Sequence, residues 1–302
     1  MKAIFYEEIK WQEYLKKFEN FNLDSSNSPY IFRGQSNDID KNQKFIPWNL
    51  TSSFNRYYSE WNLSFFEFVN QQLENSIFRS YYSEYLGVTK TQLNSFNALQ
   101  KLYFLQHYQV PTCLIDFTFN PFIALYFAIS SIKGFSGSQY DNLGYPLIYP
   151  EDCYASIYQL NCEILKDVGI ENIIDKNGAF LYHSDNAKYV FDNRENPIAF
   201  LDLNPKSGNE IYNLKKQQGC FLFFDNHNRT HSFEDYLESK ISSNSIYLKE
   251  PVIIVYKIKW YTVFRNMANT EKTLFKHLKE KGIYGKELFD DLQGLKYDFN
   301  FF

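Results

Sequence analysis

Two prolines ten positions apart, Pro111 and Pro121, fix how the middle of this chain can fold. Pro111 closes a helix arriving from the N-terminal side, because a proline lacks the N–H and pushes the residue before it out of the α region. The run Val110-Pro111-Thr112-Cys113-Leu114-Ile115-Asp116 is too short and too rich in β-formers for a helix, which leaves a buried strand. Asn120-Pro121 then starts a helix, since Asn accepts from the free N–H groups of a first turn and proline tolerates the first helical position. That helix is predicted to reach Ile132. It carries Ala124 and Ala128 four apart, so another element can pack closely against it.

The neighbouring patterns extend this frame in both directions. Ile9, Tyr14, Leu15 and Phe18 have the spacing of an opening amphipathic helix. Pro29-Tyr30-Ile31-Phe32-Arg33-Gly34 reads as a short strand ending at a glycine, with a polar loop to about Ile46. Leu63, Phe66, Val69, Leu73 and Ile77 recur every three or four residues through 60–78, a helix stripe that core packing explains fully. A second helix is predicted from Thr91 to Tyr108, with Leu99, Leu102, Tyr103 and Leu105 inward. Residues 133–151 hold Gly134, Gly137, Gly144 and Pro146 and read as a loop, the place for an insertion or a lid.

Beyond it the chain turns β-rich, with strands expected at Ala155–Leu160, Ile198–Leu203, Cys220–Phe224 and Pro251–Ile258. Late helices are expected at Phe233–Lys240, Glu271–Lys281 and Lys286–Leu292. Strands alternate irregularly with helices and no internal repeat is visible. The expected fold is α+β, a mixed and largely antiparallel sheet core with several flanking helices, rather than a doubly wound sheet. One domain over 1–302 is expected, helix-rich to 132 and β-rich from 152.

Charge and composition weigh against several roles. With 31 basic and 35 acidic residues the net charge is −4, so the broad basic surface of a non-specific nucleic-acid binder is missing. Aromatics make up 20% of the chain, from 30 Phe and 25 Tyr. AT-rich codons account for that excess, and a base-stacking surface is the alternative. Cys113, Cys153, Cys162 and Cys220 contain no C-x-x-C pair, so no metal is expected and free thiols are. Residues 1–20 carry Glu7, Glu8, Lys10, Glu13, Lys16 and Lys17 among their apolar positions, unlike a signal peptide. The longest apolar run, Pro121–Ser130, is too short to cross a bilayer. No membrane partner and a cytoplasmic location are expected.

A few polar residues stand where chemistry is possible. Arg33 beside Gly34 suits bidentate binding of phosphate or carboxylate where a ligand nears the backbone; a structural ion pair with Asp116 or a nearby glutamate is the alternative. His107 ends a helix and reads as an acid, a base or a helix cap. Asp116 and Thr118 follow the buried strand and precede a helix N-terminus, where ligands meet free N–H groups; Asp116 as a cap fits equally. Gln218 opens an apolar strand and needs a partner, which the backbone can also provide.

Several of these segments together resemble the FRG family, named for Phe-Arg-Gly. They are Tyr30-Ile31-Phe32-Arg33-Gly34-Gln35, then Ser53-Phe54-Asn55-Arg56 after Trp48, and the block Leu105 to Thr118. Asn120-Pro121 with Ala124-Leu125-Tyr126-Phe127-Ala128 continues the likeness, as do Gln217-Gln218-Gly219-Cys220-Phe221, Gly282-Ile283 and Leu288 to Leu292. The family usually has Gly where Gln109 stands and Arg where Cys113 stands, which removes a cation from the site or an ion pair from the core. The order of motifs also looks like the ADP-ribosyltransferase layout. That resemblance implies an effector, a toxin or phage-defence protein with NAD as co-substrate, a nucleic-acid or protein acceptor and a neutralising antitoxin. It implies Arg33 and Gln218 as catalytic residues, with Asp116 supplying the charge a glutamine lacks, and Arg33, Gly34, Gln35, Thr112 and Thr118 around the NAD; His107 is a catalytic candidate only in the hydrolase reading. A hydrolase or nuclease using His107 and Asp116, and a non-catalytic binding module, are the competing expectations.

Overall fold

The computed structural model describes residues 2–21, 28–36, 38–39, 45–46, 49–57, 89, 91, 98–107, 110–130, 154–170, 198–203, 212–225, 232–244, 246–264 and 272–289. The helix stripe at 60–78, the loop at 133–151, Trp48, Gln109, Cys153 and the last residues of the helix expected to end at Leu292 lie outside them.

Seven strands build one sheet. They are β1 (Ile4–Glu8), β2 (Tyr30–Ser36), β5 (Leu114–Thr118), β6 (Tyr154–Asn161), β7 (Ile198–Asp202), β8 (Gly219–Asp225) and β9 (Ile253–Lys259), in the order β1-β9-β6-β2-β5-β8-β7. Every pairing is antiparallel except β1 with β9, which is parallel. The fold is therefore α+β with a mixed, largely antiparallel sheet. A separate two-stranded pair, β3 (Asp38–Ile39) with β4 (Phe45–Ile46), occupies part of the segment read as a polar loop.

Helices cover both faces of the sheet, which is why its inner strands are buried along their length rather than on alternate residues. In β8 every residue after Gly219 is buried, and in β6 every residue after Tyr154. One face packs against α1 (Trp11–Lys17), α4 (Pro121–Ser130), α8 (Trp260–Phe264), α9 (Lys272–Glu280) and α10 (Gly285–Leu288). The other packs against α5 (Cys162–Asp167) and α7 (Phe233–Ser243). Two further helices, α2 (Ser53–Tyr57) and α3 (Ala98–His107), adjoin β5, and α6 (Tyr212–Lys216) leads into β8. Among the described residues no helix is long and apolar enough to cross a membrane.

The centre of the first face is the contact between β2 and α4. α4 is apolar all round and nine of its ten residues are buried, as a helix enclosed on every side must be. Asn120 starts it as expected, its Oδ1 accepting from the Phe122 N–H at 2.9 Å and the Ile123 N–H at 3.3 Å. Its backbone lies directly on Gly34: a Cβ there would overlap the Ala124 carbonyl oxygen and sit 2.7 Å from the Ala128 nitrogen. The small pair Ala124 and Ala128 admits a strand, and the glycine admits the helix. Beside this contact Phe32 meets Phe18 and Phe21 edge-on, with ring centroids 5.4 Å apart in each case.

Several elements differ from the sequence reading for physical reasons. β1 carries only one buried apolar residue, Ile4, so its strand character comes from pairing with β9, roughly 250 positions away. The strand expected to end at Gly34 continues to Ser36 because β6 pairs with it along its whole length. The strand expected over 110–116 lies at 114–118 instead, so Asp116 stands in mid-strand rather than after it. The short helices α5, α6 and α8 have too few turns to show a periodicity.

Replacing Gly34 by Ala would ordinarily stabilise by ~0.4–1 kcal/mol through the unfolded chain. Here forced overpacking against backbone atoms outweighs that gain. Gly34→Ala is expected to lower the free energy of unfolding in urea by about 3 kcal/mol, near the top of the range for overpacked cores. Unchanged stability would show that α4 does not rest on β2.

Candidate functional site

β2 and β5 are neighbours in the sheet, yet Phe32 opposite Thr118 is their single paired position. Past it the strands part, and Arg33 fills the opening. Its Nη1 donates to the Asp116 carbonyl at 2.8 Å, taking the place of the missing ladder bond. Its Nε donates to Gln35 Oε1 at 3.3 Å. The ion pair weighed for Arg33 is present but long, Nη1 to Asp116 Oδ2 being 3.8 Å, with the arginine side chain 18% exposed and the aspartate 60%. A guanidinium has five N–H groups. Nε and one Nη1 hydrogen carry these two hydrogen bonds, so three donors have no hydrogen-bond acceptor among the described residues.

The Asp116 carboxylate is held from α3. Gln106 Nε2 donates to both of its oxygens at 2.9 Å. The Gln106 carbonyl accepts from the Thr112 hydroxyl, and Thr112 Oγ1 accepts from the Leu114 N–H at 3.1 Å. Ser53 of α2 closes the chain, its hydroxyl accepting from the Thr112 N–H at 3.0 Å and donating to the Thr112 carbonyl at 3.2 Å. A continuous line of polar contacts thus runs from α2 through Thr112, Gln106 and Asp116 to Arg33.

Arg33, Gln35, Thr112 and Asp116 come together here. Gly34 faces the other way, under the α4 backbone, so the space over it is filled by protein. Thr118 Oγ1 donates to the Gln217 carbonyl at 2.7 Å and accepts from the Asn120 N–H at 3.0 Å, bracing the turn into α4. Gln218 lies in the turn before β8 at φ 47, not on the strand, and its buried Oε1 has no hydrogen-bond partner among the described residues. Its backbone carbonyl accepts from the Phe119 N–H at 3.0 Å, two positions past Phe117, the strand neighbour of Asp116. His107 ends α3 with its side chain exposed. It is Gln106, one residue earlier, that reaches the carboxylate.

Gln106 was assigned no role from sequence, although a signal exists. It stands four after Leu102 and three after Tyr103, so it is a polar residue on the apolar stripe of its helix, where a partner is required. Two more groups adjoin the site. Tyr158 pairs with Arg33 across β6, and burial, then the nearby Glu234, push its hydroxyl well above the usual range. Burial lowers the Arg33 value and Asp116 opposes that shift; a guanidinium stays charged regardless.

Glu234, in the first turn of α7, accepts from the Leu50 N–H through both carboxylate oxygens at 2.9 Å. It thereby fixes the segment that leads into α2. Burial pushes its carboxyl from 4.5 up to about 7, against the hydrogen bonds from Leu50 and Ser232. The folded state therefore holds this proton where the unfolded chain has released it, and stability falls as pH rises between 4.5 and about 7. Glu234→Gln keeps an acceptor for Leu50 and removes the charge. Urea unfolding from pH 4.5 to 8 is expected to show a shallower decline in this variant than in the parent. Parallel curves would place the acid elsewhere in the balance.

Comparison with known proteins adds one finding. No curated protein and no solved structure matches the chain. The FRG domain model matches residues 28–136, which hold β2, α2, α3, β5 and α4 and therefore Arg33, Gln106, Thr112 and Asp116. The chain is thus similar to the FRG domain family over that segment, which has the polar line from α2 to Arg33 inside it.

Proposed function

We propose that the opening between β2 and β5 binds a phosphorylated nucleotide, NAD being the first choice, and that the chain is an ADP-ribosyltransferase-like effector. The observation that carries this reading is Arg33. A guanidinium mostly withdrawn from water, held in place through two of its donors and with three to spare, is preorganised for an anion. Asp116 supports the transfer step. In that step the bond from the ribose C1′ to nicotinamide breaks, nicotinamide leaves with the bonding electrons, and C1′ bonds to an acceptor oxygen or nitrogen that gives up its proton. Positive charge develops on the ribose, and an exposed carboxylate stabilises it where the amide of Gln218 does not. Gln106 keeps that carboxylate oriented.

The acceptor in this reading is nucleic acid or protein. A toxin or phage-defence role, with a neutralising antitoxin as partner, is the setting it calls for. The exposed position of His107 gives a His107–Asp116 hydrolase no added support.

Purified protein incubated with labelled NAD and total RNA, DNA or lysate is expected to transfer label or release nicotinamide. Arg33→Ala is expected to weaken NAD binding by about tenfold or more, the worth of a charge-assisted contact. Asp116→Asn keeps a neutral acceptor and is expected to weaken binding far less than turnover, which should fall about 100-fold. NAD binding without turnover under all acceptors would turn the reading into a binding module. Absence of NAD binding would reject it.

A further inference from the structure

Beside the polar line described above stands a buried polar group that the line does not use. Tyr103 lies on α3, three residues before Gln106 and on the same face of the helix. Its ring stacks on Phe221 with centroids 5.3 Å apart and planes 22° from parallel. Phe221 is the residue paired with Asp116 across β5 and β8, so the two side chains share one face of the sheet in one row. Tyr103 is 1% exposed, and its hydroxyl has no hydrogen-bond partner among the described residues. A buried phenol without a partner is destabilising and calls for an explanation.

The surroundings narrow what that partner is. The phenol offers a donor, and the neighbouring Asp116 carboxylate is an acceptor that is 60% exposed, with lone pairs left over from Gln106. An anion is repelled by Asp116 at this spot, and a cation by Arg33. A group that is neutral and offers a donor and an acceptor on adjacent atoms satisfies both residues. A vicinal diol does this: one hydroxyl donates to Asp116 while the other accepts from Tyr103.

We propose that Tyr103 and Asp116 form a subsite for the 2′,3′-diol of a ribose, Tyr103 at its inner end and Asp116 at its open edge. This deepens the nucleotide reading of the same opening and rests on it for the wider ligand. The anion then falls to Arg33, and the sugar to the wall formed by α3 and β5.

Tyr103→Phe tests this with the loss of one atom, because the ring and its stack on Phe221 remain. Titration calorimetry with adenosine and with 2′-deoxyadenosine reads the diol directly. The parent protein is expected to prefer adenosine by roughly tenfold, because without the 2′-hydroxyl the buried Tyr103 phenol stays unpaired. In Tyr103→Phe most of that preference is expected to vanish, with the melting temperature unchanged or raised. Equal binding of the two nucleosides by the parent, no binding of either, or a preference that survives in Tyr103→Phe would overturn the proposal. So would a drop of several degrees in melting temperature, which would assign the hydroxyl a partner within the protein, such as Asp202 across β7. NAD titrated alongside separates the two readings. Diol discrimination without NAD binding keeps the subsite and rejects the ADP-ribosyltransferase-like function, whereas NAD binding without diol discrimination rejects the subsite alone.

Discussion

The backbone of α4 resting on Gly34 sets the position of everything around it. A strand and a helix approach this closely only where neither side presents bulk, and the glycine meets Ala124 and Ala128 at that point. With β2 fixed on one face, its alternation settles the other: Phe32 and Gly34 turn toward α4, and Arg33 and Gln35 turn away. The three residues Phe32, Arg33 and Gly34 therefore do three different things on one strand. Phe32 joins an aromatic cluster with Phe18 and Phe21, Gly34 seats the helix, and Arg33 is left to occupy the parting between β2 and β5.

That parting explains why polar side chains gather in the middle of the sheet. Where two neighbouring strands separate, backbone groups lose their ladder partners and something must replace them. Arg33 does so for the Asp116 carbonyl, and the need to hold Asp116 in turn draws in Gln106, Thr112 and Ser53. Each contact is modest, but a satisfied network fixes one arrangement of its members. Glu234, outside the line, secures its far end by holding Leu50.

Much of this was legible in the chain itself, and the limits have definite causes. The helix at Asn120-Pro121, the close packing at Ala124 and Ala128, and the β-rich second half follow from local rules and stand in the structure. The Arg33–Asp116 contact was named from sequence only as one of two readings, because residues 83 apart say nothing of their distance. Gly34 was read as room for a ligand; only the fold shows that a helix backbone takes that room. β1 escaped notice because four of its five residues are not buried, and the left-handed turn at Gln218 because nothing but a glycine signals one reliably.

The interleaving of early and late strands governs how this molecule comes to exist. β9, near the end of the chain, lies between β1, at its start, and β6, while β2 has β6 on one side and β5 on the other. The segment 28–136 on its own would hold β2 and β5 joined at one position, each with an edge exposed. On a ribosome, the seats beside β1 and β2 stay empty until residues 154–161 and 253–259 have emerged. Closing such long loops is entropically costly before any contact rewards it. The nascent chain therefore waits with open strand edges, an exposure set by topology rather than by any weakness of the finished sheet.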